Sequence, residues 1–298
     1  MLYFRQKCVY SSAKTGFFYN FYGYYAKFPY IYTDKISIPM VPVSSLVLMV
    51  VDAVLGIAFP ICLSVYLVRK HHARLSTILI GAGTFILFAL VLESMMHQLV
   101  LKGPHGASIL DNTLRYALYG GLAAGVFEET GRFLSMKFLM KKEPSTPLPG
   151  IAYGVGHGGA EMFIIFGITM ISNLAISAMI NAGQTEVLFA NVADDAAAGL
   201  QAQLDQLQTL EAGSLLIGLW ERFSALVLQI GLSILVWAAV RKGGRWLWLF
   251  PAAIALHAFV DAGAVLLQKS VGMVPLELIV MAEAIAVAAM GYMVAKKL

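Results

Sequence analysis

Charge is scarce in this chain. Asp, Glu, Lys and Arg together make up 13% of its 298 residues, against about 25% in a soluble globular domain. Hydrophobic residues reach 59% and the mean hydropathy is +0.76. There is too little polar surface to cover a water-soluble particle of this size, so the sequence predicts a membrane protein. Cysteine is nearly absent: Cys8 and Cys62 are the whole complement, which excludes a disulfide framework and any CxxC zinc site. HExxH, GxSxG, a Walker loop and a GxGxxG after a strand are all missing. The net charge of +4 is too small, and too dispersed, for a nucleic-acid partner.

What is present is a series of long apolar runs. Crossing a hydrocarbon core of about 30 Å takes roughly 20 helical residues, and such runs lie near 43–68, 77–101, 113–139, 150–180, 214–240, 246–268 and 274–295. The expected fold is an all-α, polytopic bundle of about seven transmembrane helices, forming a single membrane domain over 40–298. The fourth run is longer than a bilayer needs, so it is expected to tilt, break or continue beyond it. Residues 1–39 are rich in Tyr and Phe without a sustained apolar period. They read either as an interfacial segment or as residues upstream of a true start at Met40, and the second is favoured.

The connections are asymmetric in charge. Arg69, Lys70, Arg74, Lys141, Lys142, Arg241, Lys242, Arg245, Lys296 and Lys297 fall on one side. The other side carries Lys102, Arg115 and Lys269, and its segment 181–213 has no Lys or Arg but five acids, Glu186, Asp194, Asp195, Asp205 and Glu211. The positive-inside rule then makes the basic side cytoplasmic. A plasma (inner) membrane protein with a cytoplasmic C-terminus is expected, and 181–213 reads as an outer, solvated loop.

Against this background, ionisable residues inside the runs stand out. A charge at the bilayer centre costs at least ~2.5–3.5 kcal/mol on insertion scales and by default marks function. The third run contains Glu128-Glu129-Thr-Gly-Arg132, the fourth His157-Gly-Gly-Ala-Glu161, and the sixth His257-Ala-Phe-Val-Asp261. Each His lies four residues before its acid, on one helix face. Glu128 and Arg132 share that offset, which permits an intrahelical ion pair, while Glu129 points about 100° away. At about 1.5 Å per residue from the basic ends, Glu129, Glu161 and His257 lie roughly 16 Å deep, His157 about 10 Å and Asp261 about 22 Å. Three helices therefore offer a carboxylate and two imidazoles to one layer, with five glycines around His157 that would permit local unwinding. A second polar group, Glu93, His97, Glu221 and Arg222, reads first as an inter-helix fastening such as Glu93 with Arg222.

Two hydrolytic routes fit these residues. Glu129 as general base would take a proton from water, with His157 and His257 orienting that water or donating to the oxyanion. Alternatively a Zn²⁺ would be held by His157, His257 and Glu161 or Glu129, with Asp261 behind His257. The same buried acids and imidazoles also fit a proton-coupled transporter, or a non-catalytic membrane scaffold on a degenerate peptidase fold.

Taken in order, these motifs over about 43–295 resemble the YhfC-type intramembrane metalloproteases. Those are relatives of the CAAX-protease/bacteriocin-processing (CPBP) and PrsW superfamily of membrane peptidases. The resemblance implies a membrane-embedded endopeptidase acting on a membrane protein or peptide. In it Glu128 or Glu129 would activate water, Arg132 would complete the acidic motif, and His157 and His257 would be metal ligands or oxyanion groups. The spacing of Arg132 departs from the EExxxR of CPBP proteins and is nearer the EExxK of PrsW, and His257-xxx-Asp261 matches the HxxxD of PrsW.

Overall fold

The structure is a computed structural model that describes residues 40–190, 192 and 194–298. The favoured start at Met40 concerns residues 1–39 and lies outside the described residues. Every described element is helical: α1 (Val43–His71), α2 (Leu75–Leu101), α3 (Gly106–Leu110), α4 (Thr113–Leu139), α5 (Pro147–Asn181), α6 (Thr185–Phe189), α7 (Asp194–Gln208), α8 (Ala212–Lys242), α9 (Gly244–Leu267) and α10 (Met273–Ala295).

Six of these, α1, α2, α5, α8, α9 and α10, are long and apolar enough to cross a membrane. The expected seventh span, α4, has the length at 27 residues. Its charged residues, Arg115, Glu128, Glu129, Arg132 and Lys137, keep it below the composition of the others. About seven is thus a small excess over six, and the difference is the helix carrying the double glutamate.

Local sequence sets the helix ends. Asn112 caps α4 by accepting the Arg115 backbone N–H at 3.0 Å. Pro147 opens α5, where its missing N–H costs nothing. Gly243, at φ 61°, closes α8. Two of the spans are not uniformly α-helical: α2 becomes π-helical over Phe85–Glu93 and α5 over Met162–Ile168. The long fourth run is thus broken in register, by a wider turn immediately after Glu161.

The basic connections gather at one end. Arg74 reaches Glu143 at 3.4 Å, Arg241 donates to Ser145 Oγ at 3.0 Å and to the Lys141 carbonyl at 3.4 Å, and Lys297 lies over the Trp246 ring. At the opposite end Asn181 clamps the Val41 backbone, and Ser45 donates to the Leu210 carbonyl at 2.6 Å. Segment 181–213 is not a plain loop there. It forms α6 and α7, and Leu204 and Leu207 of α7 are buried against Val41, Met49, Ile180 and Leu215. The acidic residues disguised an amphipathic helix whose leucines lie three residues apart.

α8 is the central element, with 72% of its most apolar window buried against 22–33% for the other five spans. It runs along α10 and against the first half of α5, while α4 packs on α9 and α2 on α5. These last contacts depend on small residues. A Cβ on Gly156 would strike the Ile78 carbonyl, and one on Gly81 would strike that of Tyr153, so α2 and α5 cross backbone to backbone. α5 stays regular from Pro147 to Glu161. The glycines around His157 therefore serve close approach rather than the unwinding expected of them.

Gly156→Ala should lower the midpoint of thermal unfolding in detergent by an amount corresponding to about 1–3 kcal/mol. Gly83→Ala should not, because nothing lies within 4 Å of its added Cβ.

Candidate functional site

α4 places Glu128 and Glu129 on adjacent faces, and the two carboxylates are engaged by different helices. His157 of α5 donates Nε2–H to Glu128 Oε2 at 3.0 Å. His257 of α9 donates Nδ1–H to Glu129 Oε1 at 2.9 Å. The Arg132 guanidinium sits 3.3 Å from the same Glu129 oxygen, so the ion pair within α4 is Glu129–Arg132 and not Glu128–Arg132. An i,i+3 pair is as close on a helix as i,i+4, and His157 already occupies Glu128.

Gln229 of α8 joins the two halves. Its amide N–H₂ donates to Glu128 Oε2 at 3.0 Å and to Glu161 Oε2 at 3.2 Å. Its carbonyl oxygen accepts from Arg132 Nη2. One neutral side chain thus uses both its donor and its acceptor ends among charged groups. Glu161 in turn accepts from Arg222 Nη1 at 3.1 Å, and Arg222 holds Glu221 at 2.6 Å through Nη2. The expected Glu93–Arg222 fastening is therefore replaced: Arg222 binds Glu161 and Glu221, while Glu93 accepts from His97 one turn along α2 at 3.0 Å. His97 also bonds the Tyr119 hydroxyl at 2.8 Å.

Burial is nearly complete: Glu129, Arg132 and His157 are 0% exposed, His257 3%, Glu128 4% and Glu161 7%. Asp261 stands at the margin, 3.7 Å from His257 Nε2 and with 20% of its side chain exposed. Aromatic rings fix His157 from two sides, Phe85 edge-on at 5.3 Å and Tyr153 stacked at 6.1 Å between centroids. The Tyr153 hydroxyl bonds Ser135 at 3.0 Å. Three buried polar atoms at this centre, Glu129 Oε2, Arg132 Nε and His157 Nδ1, have no hydrogen-bond partner among the described residues. Such orphans are costly in an apolar interior and are found where a bound group completes the bonding.

A model of the YhfC intramembrane metalloprotease family matches residues 55–286. The chain belongs to that family. It is similar to an uncharacterized membrane protein, YhfC, of Bacillus subtilis (strain 168), 38% identical over 233 residues that cover 78% of this chain and 88% of the relative. No solved structure matches. The protein is accordingly an integral membrane protein, and the match spans every element of the polar network.

The family's description implies a metal ion, and the donor set can be tested against one. Among the described residues no three His, Cys, Asp or Glu side chains are grouped to hold a metal. The expected zinc donors are divided: His157 to Glu128, His257 to Glu129, Glu161 to Arg222 and Gln229, and Asp261 off to one side. The Arg132 cation also lies against Glu129, where a divalent ion would meet like charge. As arranged, these residues do not fit a zinc site.

Sequence reasoning brought forward every acid and imidazole of this network but missed Gln229, Ser135 and Tyr153. A glutamine in the middle of an apolar run was the available signal for the first. Gln229→Leu should leave Glu128, Glu161 and Arg132 short of a partner. A loss of about 1–3 kcal/mol should appear in detergent unfolding, and Gln229→Glu should lose more, because it sets a carboxylate oxygen against Glu128 and Glu161 where the amide donated to both.

Proposed function

We propose that this chain is an intramembrane endopeptidase that activates water with a metal-free Glu128–His157 pair. The observation that carries the reading is the division of labour in the double glutamate, each carboxylate hydrogen-bonded to a histidine from a different helix. Glu129 is wholly enclosed and held by Arg132 and His257 through one oxygen, which suits a clamp. Glu128 keeps a small exposure and is oriented by two N–H donors, from His157 and Gln229, which suits the proton acceptor. This moves the general base from the expected Glu129 to its neighbour.

In the proposed reaction Glu128 takes a proton from a water molecule as the water oxygen attacks a peptide carbonyl carbon. His157 holds the carboxylate in the geometry that transfer requires. His257, locked in place by Glu129 and Arg132 and protonated on both nitrogens between Glu129 and Asp261, offers its Nε2–H to the developing oxyanion. The oxyanion then re-forms the carbonyl as the C–N bond breaks, the proton on Glu128 passes to the leaving amine, and the carboxylate is regenerated. The enclosed, water-poor setting strengthens each of these polar contacts.

The substrate class is a membrane protein or peptide, because Glu128 and His157 lie among apolar spans. The charge asymmetry supports a plasma-membrane orientation with the C-terminus in the cytoplasm and α6 and α7 outside.

Glu128→Gln should abolish cleavage of a peptide substrate in proteoliposomes, by about 10³-fold or more if proton transfer is lost together with electrostatic stabilisation. Its unfolding midpoint should stay close to that of the parent protein. Cleavage should persist in excess EDTA or 1,10-phenanthroline. Cleavage that stops on chelation and returns with Zn²⁺ would overturn the metal-free reading.

A further inference from the structure

The basic end of the bundle gathers cations for which the chain supplies no anion. α8 and α10 both finish there, and they pack so closely that a Cβ on Gly231 would strike the backbone of Ala288. Their last residues are thus brought side by side. Beyond Lys242 the chain reverses through Gly243 and Gly244, at φ 61° and 53°, into the 3₁₀ turn Gly244–Trp248 that opens α9. The Trp246 N–H closes this turn on the Gly243 carbonyl at 3.0 Å. Its ring then receives ammonium groups from two sides of the bundle's end: Lys242 Nζ lies 4.9 Å from the centroid and Lys297 Nζ 6.0 Å. Arg245 precedes the same tryptophan, and Lys296 lies over the Tyr292 ring at 4.6 Å.

Lys242, Arg245, Lys296 and Lys297 are all exposed. Among the described residues the ion pairs of Lys and Arg belong to Arg74, Arg132 and Arg222, and segments 241–249 and 292–298 contain no Asp or Glu. A helix C-terminus favours a cation through its dipole, but that does not explain two like charges held at one indole. We infer that this cluster binds the headgroup of an anionic phospholipid, with Lys242 and Lys297 on its phosphate and Arg245 supplying a third charge from the same turn. Placement selects a lipid over other polyanions. The cluster stands directly at the ends of spanning helices, where headgroup phosphates lie, and basic pockets between spans recognise such headgroups. Leu247 and Trp248 of the same turn are exposed as well. Below a headgroup they meet acyl chains, with the indole at the interface it favours. An acidic protein segment or a nucleic acid would leave both in water.

The test needs no catalysis. The full chain in detergent is titrated with short-chain phosphatidylglycerol or phosphatidylcholine, and bound lipid is counted by native mass spectrometry. One phosphatidylglycerol should bind per chain, about 10-fold or more tighter than phosphatidylcholine. Changing Lys242, Arg245 and Lys297 to Gln should weaken it by about 5-fold for each charge removed and roughly 100-fold for all three. Lys242→Arg with Lys297→Arg should keep the lipid, since a guanidinium also pairs with phosphate. Arg69→Gln with Lys70→Gln removes two exposed charges at the same end but on α1, and should change binding by less than about 2-fold at physiological ionic strength. The triple variant should unfold at the parent midpoint in lipid-free detergent, and added phosphatidylglycerol should raise the midpoint of the parent alone.

Equal binding of the two lipids, or equal losses in the triple variant and the Arg69/Lys70 variant, would reduce the cluster to diffuse charge and overturn the inference. Displacement of the lipid by millimolar inorganic phosphate would make it a free-anion site and overturn it too. So would a Glu-rich peptide that binds through Lys242 and Lys297 where phosphatidylglycerol does not.

Discussion

The constraint on which this bundle depends is that charges enclosed by apolar helices must be satisfied by one another. Glu128, Glu129, Arg132, His157, Glu161, Glu221, Arg222 and His257 are all buried, and lipid offers none of them a partner. The solution is a chain of contacts running from His257 through Glu129, Arg132 and Gln229 to Glu128 and His157, with a branch through Glu161 to Arg222 and Glu221. Removing either guanidinium leaves buried carboxylates uncompensated, Glu129 for Arg132 and Glu161 with Glu221 for Arg222, which in an interior costs far more than the pair contributes. The network ties α4, α5, α8 and α9 together at one level, and the remaining packing is arranged around it.

Two features of the fold follow from that demand. α8 must be the central helix, because its Gln229 and Arg222 touch acids from both α4 and α5. The helices must also come close enough for short side chains to meet, which explains backbone-to-backbone crossings such as Gly156 against Ile78. In a membrane such close approach by small residues supplies packing that the hydrophobic effect cannot. The π turn in α2 has a comparable effect on register, turning Phe85 to the His157 ring and Phe88 across Gly131.

The proposed chemistry rests on an asymmetry within that network. Both glutamates of the pair are hydrogen-bonded to histidine, but only Glu129 is also bound to a guanidinium, and only Glu128 is bound by the amide of Gln229. On the proposed reading, a fixed, enclosed clamp beside an oriented proton acceptor would need no reorganisation during reaction. Dispersing the imidazoles over separate carboxylates is also why the set does not present a metal with converging donors.

Much of this was readable from residues alone. Long apolar runs, the excess of Lys and Arg on alternate connections, and acids and histidines at similar depths of different runs identified a membrane bundle and the residues of its polar centre, because burying charge in lipid is too costly to be incidental. The pairing was not readable. Whether Arg132 takes Glu128 or Glu129, and whether Arg222 meets Glu93 or Glu161, depends on helix rotation and on neighbours distant in sequence. Gln229 carried no charge to mark it, and the leucines of α7 were masked by the acids around them. Hydropathy and charge act through composition and are fixed by the chain itself. Which carboxylate a given cation or imidazole reaches is a matter of a few ångströms, and only the packed helices decide it.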